Sequence, residues 1–231
     1  MKKNILFGTI TLLAGSLLAA DSSPKDDVTS AAKKLGDSAN YSWTATVVVP
    51  DDSQYRPGPI DGKTEKGGLT YVKFSFGDTT TEFVKKGAAA AFTSPDGGWQ
   101  SITNQDSGQG QGRFLAGMVR DYKTPDQQAA DLAAAAKELK KDGDVFAGDL
   151  TEDGAKAQLT FRRGGTATVS NASGSVKFWI KDGVLTKYEF KLKGTVSFNG
   201  NDRDVDRDTT VVIKDVGTTK MDAPDAAKKL L

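Results

Sequence analysis

The 231-residue chain contains no cysteine and no histidine, and these two absences exclude several kinds of active site. Without them the protein cannot form a Ser-His-Asp triad, a Cys-His pair or an imidazole base. It also lacks the nitrogen and sulfur ligands that usually hold zinc. A carboxylate pair, a Ser-Lys pair and calcium bound by oxygen ligands remain open, but no paired acids stand out from the surface charges. We therefore expect no enzyme, no catalytic residue, no metal and no cofactor, with a carboxylate hydrolase as the third hypothesis.

The chain also lacks an excess of either charge, with 31 Lys and Arg residues against 30 Asp and Glu residues. Nucleic-acid binding usually needs a basic face, so this balance predicts no nucleic-acid partner. The hydrophobic share is only 37%, but the 25 glycines bring the composition close to that of ordinary globular proteins. A chain of this length is expected to bury a core without disulfides, so the absence of cysteine does not exclude an oxidising compartment.

The N-terminus has the features of an export signal. Lys2 and Lys3 precede an apolar run over residues 5–13, and small residues follow up to Ala20. This order is typical of a secretory signal peptide, and the run is too short for a stable membrane anchor. A buried N-terminal helix is the alternative. We predict a signal peptide over residues 1–20 and a single half-barrel domain over residues 21–231, with membrane contact that is peripheral at most.

The end of this leader, Leu17-Leu18-Ala19-Ala20, resembles the lipobox of bacterial lipoproteins, in which the next residue is the cysteine that receives the lipid. Asp21 stands at that position here, so the chain cannot be lipidated there. Leu18 fits the small-residue cleavage rule poorly, which leaves the cleavage site open. We expect an exported protein that is soluble in the periplasm or outside the cell.

The first half of the mature chain alternates between apolar and polar residues in the way of half-buried strands. Trp43 lies on the apolar side of the first such segment, and Phe74 and Phe76 share one side of a later one. Residues 50–68, rich in Pro, Gly and Asp, are predicted to form a long loop. The other predicted elements are a short helix over residues 26–35 and strands over residues 41–49, 69–76, 79–86, 88–93 and 99–103.

The spacing of apolar residues changes in the centre of the chain from the period of two of a strand to the period of about 3.6 of a helix, and three helices are predicted there. One face of the first helix carries large apolar side chains: Phe114, Leu115, Met118, Val119 and Tyr122. The second begins at a capping box around residue 124 and is predicted to continue to about residue 141. Its apolar face is small, which permits close approach to another surface. The third helix is predicted over residues 151–162.

The last third predicts an antiparallel sheet most clearly. Residues 184–198 alternate over their whole length, and Asp-Gly and Asn-Gly pairs at either end mark tight hairpins to residues 176–181 and 203–214. A strand of that length, about 50 Å, coils or bends rather than staying flat. We therefore predict an α+β fold in which a curved antiparallel sheet forms an incomplete barrel, with two or three central helices packed on its concave face.

Alternate residues from 202 to 208 are aspartate, which invites a calcium site. The EF-hand spacing fails because Arg207 and Ile213 stand where that loop needs glycine and glutamate. In a strand these carboxylates would share one face, with Arg203 and Arg207 on the other, so a charged and solvated hairpin edge is the favoured interpretation. Trp179 alternates with its apolar neighbours and is the best candidate for a contact on the outer face.

Several segments together show a family resemblance: the lipobox-like leader, residues 41–49, Asp96-Gly97-Gly98-Trp99, the central helices, residues 177–188 and the ending from Asp215 to Ala226. In this order they resemble the bacterial LolA-like and LppX/LprG-like envelope proteins over most of the mature chain. The resemblance implies an unclosed antiparallel barrel with helices as a lid, a hydrophobic cavity for acyl chains and no catalysis. Because Asp21 replaces the lipidated cysteine, a soluble carrier or chaperone is the closer analogue.

The first hypothesis is therefore a monomeric, non-enzymatic envelope protein that binds lipid or lipoprotein acyl chains in a hydrophobic cavity, with other envelope proteins as further candidate partners. The expected binding residues are Trp43, Phe74, Phe76, Phe114, Leu115, Met118, Tyr188, Phe190 and Leu192. Each of these side chains would fit a packed core equally well. The alternative is an extracytoplasmic structural or protein-binding module with a filled core, acting through its outer face or through residues 50–68.

Overall fold

The computed structural model describes residues 22–53, 57–76, 79–94, 97–102, 111–160, 167–198 and 200–231. The predicted signal peptide over residues 1–20 lies outside these ranges. The helices within them are α1 (Pro24–Gly36), α2 (Gln111–Arg120), α3 (Pro125–Ala135), α4 (Glu152–Thr160) and α5 (Asp225–Lys228). The strands are β1 (Asn40–Val48), β2 (Pro57–Glu65), β3 (Thr70–Phe76), β4 (Thr79–Lys86), β5 (Ala89–Thr93), β6 (Trp99–Ser101), β7 (Lys140–Asp142), β8 (Val145–Asp149), β9 (Thr168–Lys181), β10 (Val184–Phe198) and β11 (Asn201–Lys214).

The strands form one sheet in the order β6-β5-β4-β3-β2-β1-β11-β10-β9-β8-β7. Every neighbouring pair is antiparallel. Among the described strands β6 and β7 stand at the two ends, each three residues long, so the sheet is not closed into a barrel. The predicted α+β fold with an open antiparallel sheet and a few helices is confirmed.

The β9–β10–β11 meander owes its length to sequence alternation and to one tight turn. Asp182 and Gly183 both have positive φ, 54° and 72°, as a two-residue hairpin turn requires. On the outer face Lys191 and Lys193 of β10 form ion pairs with aspartates of β11. The inner face is apolar, so a slip of one residue would expose the core and bury these charges.

Helices α1, α3 and α4 pack on the inner face of the sheet. As predicted, the buried face of α1 consists of Val28, Ala31, Ala32 and Leu35. It packs against α3, whose buried face is equally small. The Gln127 side chain accepts a hydrogen bond from the Thr124 backbone N–H, 3.2 Å away, which satisfies a donor at the start of α3. Small residues on both faces let the two helices approach closely.

Residues 50–68 are not one long loop, because Pro57–Glu65 is strand β2, which lies between β3 and β1 in the sheet. The prediction was wrong because the prolines and glycines there indicated a turn. Gly62 lies beneath the indole of Trp43, so that a Cβ would stand 2.0 Å from Trp43 Cζ2. This glycine is required by close packing within a sheet and does not mark a loop.

Helix α3 ends at Ala135 and does not continue to residue 141 as predicted. Ala136 is extended and bridges to Leu150, and residues 140–149 form the β7–β8 hairpin. Its turn contains Gly143 with φ of 58°, a conformation that favours glycine. The sequence prediction carried the helix almost to Gly143, because a glycine commonly ends a helix, but here Gly143 is the turn residue of a hairpin. The third predicted helix is confirmed as α4.

Candidate functional site

A cavity of about 560 Å³ lies between the inner face of the sheet and the helices α2 and α3. This volume is in the range of small-molecule binding sites. Its described lining is mainly apolar on the sheet side and mixed at the helices. The sheet contributes Trp43, Ala45, Val47, Ile60, Val72, Phe74, Phe83, Tyr188, Phe190 and Val211, and the helix side contributes Leu115, Met118, Tyr122, Pro125 and Gln128.

The sheet wall is built by strand register. Ala45 of β1 is paired with Ile60 of β2 on one side and with Val211 of β11 on the other. Ile60 is paired in turn with Phe74, and Val211 with Tyr188. Because directly paired residues point to the same face of a sheet, one apolar row crosses five strands. Period-two alternation in each strand then repeats such rows along the cavity.

Trp43 and Tyr188 are held firmly in this wall. Trp43 is 2% exposed, lies across Gly62 and contacts the ring of Tyr41, with centroids 5.6 Å apart. Tyr188 is fully buried, and its hydroxyl donates a hydrogen bond to Gln128 Oε1 at 2.7 Å. Burial raises the pKa of Tyr188 well above its usual value, so it stays neutral. Both rings are therefore fixed, uncharged surfaces.

The helix side of the cavity is less densely packed. Leu115 and Met118 of α2 are only partly buried against the core. Tyr122, just after α2, contacts Phe83 edge to face, with ring centroids 4.9 Å apart. Lys123 and Asp131 form an ion pair at the rim of the cavity. The wall formed by α2 thus presents half-exposed apolar side chains to the cavity.

One end of the cavity is polar. Arg203, Arg207 and Thr209 of β11 line it, together with Gln158 of α4. Arg207 Nη2 donates a hydrogen bond to the Gln158 carbonyl oxygen at 3.3 Å, near the C-terminus of α4. Sequence reasoning missed both arginines as cavity residues, although it placed them opposite the carboxylates. Their odd numbers put them on the face of the buried Val211 and Ile213, which was the available signal.

Six of the nine residues expected to bind a ligand line this cavity: Trp43, Phe74, Leu115, Met118, Tyr188 and Phe190. Leu192 is fully buried in the core and is not among the lining residues. The side chains of Phe76 and Phe114 lie outside the described part of the molecule. That any of these residues binds a ligand stays a prediction. Trp179 is covered on one side by the Lys187 ammonium, 4.3 Å from its ring centroid.

The described residues offer no other chemical centre of the kinds considered above. Within the ranges that the structure covers, no group of three or more His, Cys, Asp or Glu residues could hold a metal ion. The same ranges contain no helix that is both long and apolar enough to cross a membrane. The aspartates at residues 202–208 lie on the outer face, where Lys193 and Lys191 pair with Asp206 and Asp208.

No protein-family model matches the chain, and no curated protein matches it. Among solved structures it is similar to LprF from Mycobacterium bovis, with 12% identity, a TM-score of 0.48 and coverage of 88% of this chain and 97% of LprF. It is similar to the lipoprotein LppX from Mycobacterium tuberculosis, with 8% identity, a TM-score of 0.46 and coverage of 86% and 97%. A LolA superfamily protein from Nitrosomonas europaea matches with 12% identity, a TM-score of 0.36 and coverage of 91% and 98%.

Proposed function

We propose that this protein is a non-enzymatic carrier that encloses the alkyl chains of a lipid or lipoprotein in its cavity. The observation that supports this most directly is the 560 Å³ cavity with its row of apolar side chains across five strands. A soluble protein rarely keeps such a space against rigid aromatic rings without a ligand to fill it, since empty apolar space is destabilising.

Binding would be driven by the removal of alkyl surface from water. Each buried methylene contributes about 0.8 kcal/mol. Micromolar affinity corresponds to about 8 kcal/mol, and association costs about 4 kcal/mol or more, so a chain of roughly fifteen buried methylenes is needed to supply it. Access would require movement of the helix wall, and α2, with Leu115 and Met118 half-exposed, is the element that would move. No covalent step is involved, and the protein's own part is to exclude water.

The proposed carrier acts outside the cytoplasm. The charged start, the apolar run and the small-residue exit of residues 1–20 direct the chain across a membrane, and Asp21 leaves it without a lipid anchor at that site. Mass measurement of the protein recovered from the cell envelope is expected to show the loss of about twenty residues. Recovery of the intact chain from the cytoplasm alone would rule this out.

The cavity is tested by Phe190→Trp, because Phe190 lines the cavity and is 6% exposed. The larger ring is expected to fill the space and weaken binding of the neutral fluorescent probe N-phenyl-1-naphthylamine at least tenfold. The free energy of unfolding should change by less than about 1 kcal/mol, since the added atoms enter empty volume. Probe titration and urea unfolding measure the two effects.

Phe178→Trp is the matched control, because Phe178 is fully buried and does not line the cavity. There the larger ring overpacks the core, which costs roughly 1–3 kcal/mol, and the probe affinity should remain. If the wild type binds no probe and Phe190→Trp is as destabilising as Phe178→Trp, the interior is a filled core. The structural or protein-binding module would then be the better description.

A further inference from the structure

Two arginines and Thr209 interrupt the mainly apolar inner face of the sheet. Arg203 and Arg207 belong to the side of β11 that also carries the buried Val211 and Ile213, and both line the polar end of the cavity. Arg207 is half-buried there, and the loss of hydration of its guanidinium is unfavourable unless an anion or hydrogen-bond acceptors compensate, whereas Arg203 is exposed and keeps its hydration. An anionic ligand could bind these arginines only if the carboxylates of the chain do not already neutralise them.

The neighbouring aspartates of β11 do not neutralise them. Alternation directs these carboxylates to the outer face, where Asp206 and Asp208 pair with lysines of β10 at 2.8 and 3.0 Å. On the same face, Asp204 accepts a hydrogen bond from the Thr195 hydroxyl at 2.7 Å, and Asp202 accepts one from Ser197. The carboxylates of this hairpin thus have their partners on the opposite side of the sheet from the arginines.

The acids that line the cavity lie elsewhere. Asp131 forms an ion pair with Lys123, so the charges of these two residues compensate each other. Asp121 is in the segment that follows α2, near Lys85, whose pKa is lowered by burial and partly raised again by Asp121. The described lining of the cavity carries no other carboxylate. Among the described lining residues, β11 contributes the side chains of Arg203 and Arg207 and no carboxylate.

The two arginines differ in what they already bind. Arg207 is joined to the Gln158 carbonyl near the end of α4, which gives it a structural role at a helix C-terminus. No hydrogen bond or ion pair joins the guanidinium of Arg203 to another residue in the described part of the chain. Arg203 is exposed at the end of the cavity, and its five donors are arranged to bind carboxylate or phosphate.

We propose that this end of the cavity binds the anionic headgroup, a carboxylate or a phosphate, of an amphiphile whose alkyl chain occupies the apolar part. Arg203 contacts the headgroup, and Arg207 adds positive potential where the polar and apolar parts meet. This inference rests on the proposed carrier function and specifies its ligand class. It predicts that anionic lipids bind better than neutral lipids with the same alkyl chain.

The experiment measures displacement of N-phenyl-1-naphthylamine from the mature protein by dodecanoate, dodecyl phosphate, dodecanol and inorganic phosphate. The wild type is expected to bind dodecanoate and dodecyl phosphate roughly tenfold or more tightly than dodecanol, with a preference that declines as salt is added. Inorganic phosphate should leave the probe in place. Arg203→Gln should lose most of the preference, whereas its affinity for dodecanol should change less than about twofold.

Lys193→Gln is the matched control, because it removes one positive charge from the outer face, where Lys193 pairs with Asp206. It should keep the full preference, and Arg203→Lys should keep most of it. Equal binding of dodecanoate and dodecanol by the wild type, or a preference that survives in Arg203→Gln, would overturn the inference and leave the carrier function standing. Displacement by inorganic phosphate would assign the arginines to a free anion. If neither the probe nor any alkyl ligand binds, the carrier function itself fails.

Discussion

The two halves of the inner sheet face are occupied differently. In the half formed by β9 and β10, which we call the filled half, α1, α3 and α4 lie directly on the strands, and Phe178, Leu185 and Leu192 are completely buried. In the half formed by β1 to β4, which we call the hollow half, the cavity lies between the strands and α2, and it extends across β11 as far as Tyr188 and Phe190 of β10. The strand side chains are of the same kinds in both halves. What differs is whether a helix or the cavity lies against them.

Glycines explain much of that difference. In the filled half a Cβ at Gly174 would lie 2.6 Å from the Lys191 carbonyl oxygen, one at Gly194 would lie 2.8 Å from Leu159, and one at Gly154 would lie 2.8 Å from Ala135. The first contact is between β9 and β10, the second between β10 and α4, and the third between α4 and α3, so these glycines let neighbouring elements approach closely. In α2 a Cβ at Gly117 would meet nothing within 4 Å. Gly62 of the hollow half is also tightly packed, against Trp43, so the open space in that half lies at α2 and not at every glycine.

The largest expected difference between the halves is in the cost of truncating a leucine. Leu132 of α3 is fully buried in the filled half, so Leu132→Ala should lower the free energy of unfolding by about 2–5 kcal/mol. Leu115 of α2 already faces the cavity, so Leu115→Ala should cost less than about 1 kcal/mol. Urea unfolding of both variants checks this. Similar losses would mean that the cavity is closed by packing in solution.

A smaller effect is expected at the glycines. Gly154→Ala should destabilise the protein by roughly 1–3 kcal/mol, because the new methyl group overlaps Ala135 of α3. Gly117→Ala should stabilise it by up to about 1 kcal/mol, because alanine is the better helix former and space is available. The sign of the change in melting temperature distinguishes the two sites. Two changes of the same sign would remove the distinction between the halves.

The smallest effect concerns pH. Burial and the hydrogen bond to Asp126 raise the pKa of Tyr41, which lies beside the filled half. Because its folded pKa is above the unfolded value of about 10, its stabilisation is complete below pH 10 and is lost as the pH rises further. The slope is at most about 1.4 kcal/mol per pH unit for one group. Stability measured between pH 9 and 11 should fall less steeply in Tyr41→Phe than in wild type, and equal slopes would contradict the assignment.

Much of the sheet could be predicted from the sequence because alternation and turn chemistry are local. The segment over residues 184–198, with Asp182-Gly183 before it, indicates both its strand and its hairpin, and the structure confirms them. Strand β2 was missed because Gly62 is needed to leave room for the ring of Trp43, which is distant in sequence. The hairpin after α3 was missed because a glycine can end a helix or turn a strand pair.

The cavity itself could not be read from the sequence. Phe190 and Leu192 alternate identically in β10, yet Phe190 lines the cavity and Leu192 is packed in the core. Whether an apolar side chain meets space or another side chain depends on how far the opposing helix stands, which no local pattern encodes. Arg203 and Arg207 share the alternation of Val211, but a pattern of charges first indicates an outer surface.

The short strands at both ends of the described sheet affect the tendency of the protein to aggregate at high concentration. β6 and β7 each offer only three residues of backbone at the ends of the described sheet, and all three residues of β7 are exposed and charged. A long free strand would be a template for pairing with another copy, whereas an edge this short gives an incoming strand few hydrogen bonds. The same chain can therefore have strands of 14 and 15 residues at the centre of its sheet and still resist edge-to-edge assembly into fibres.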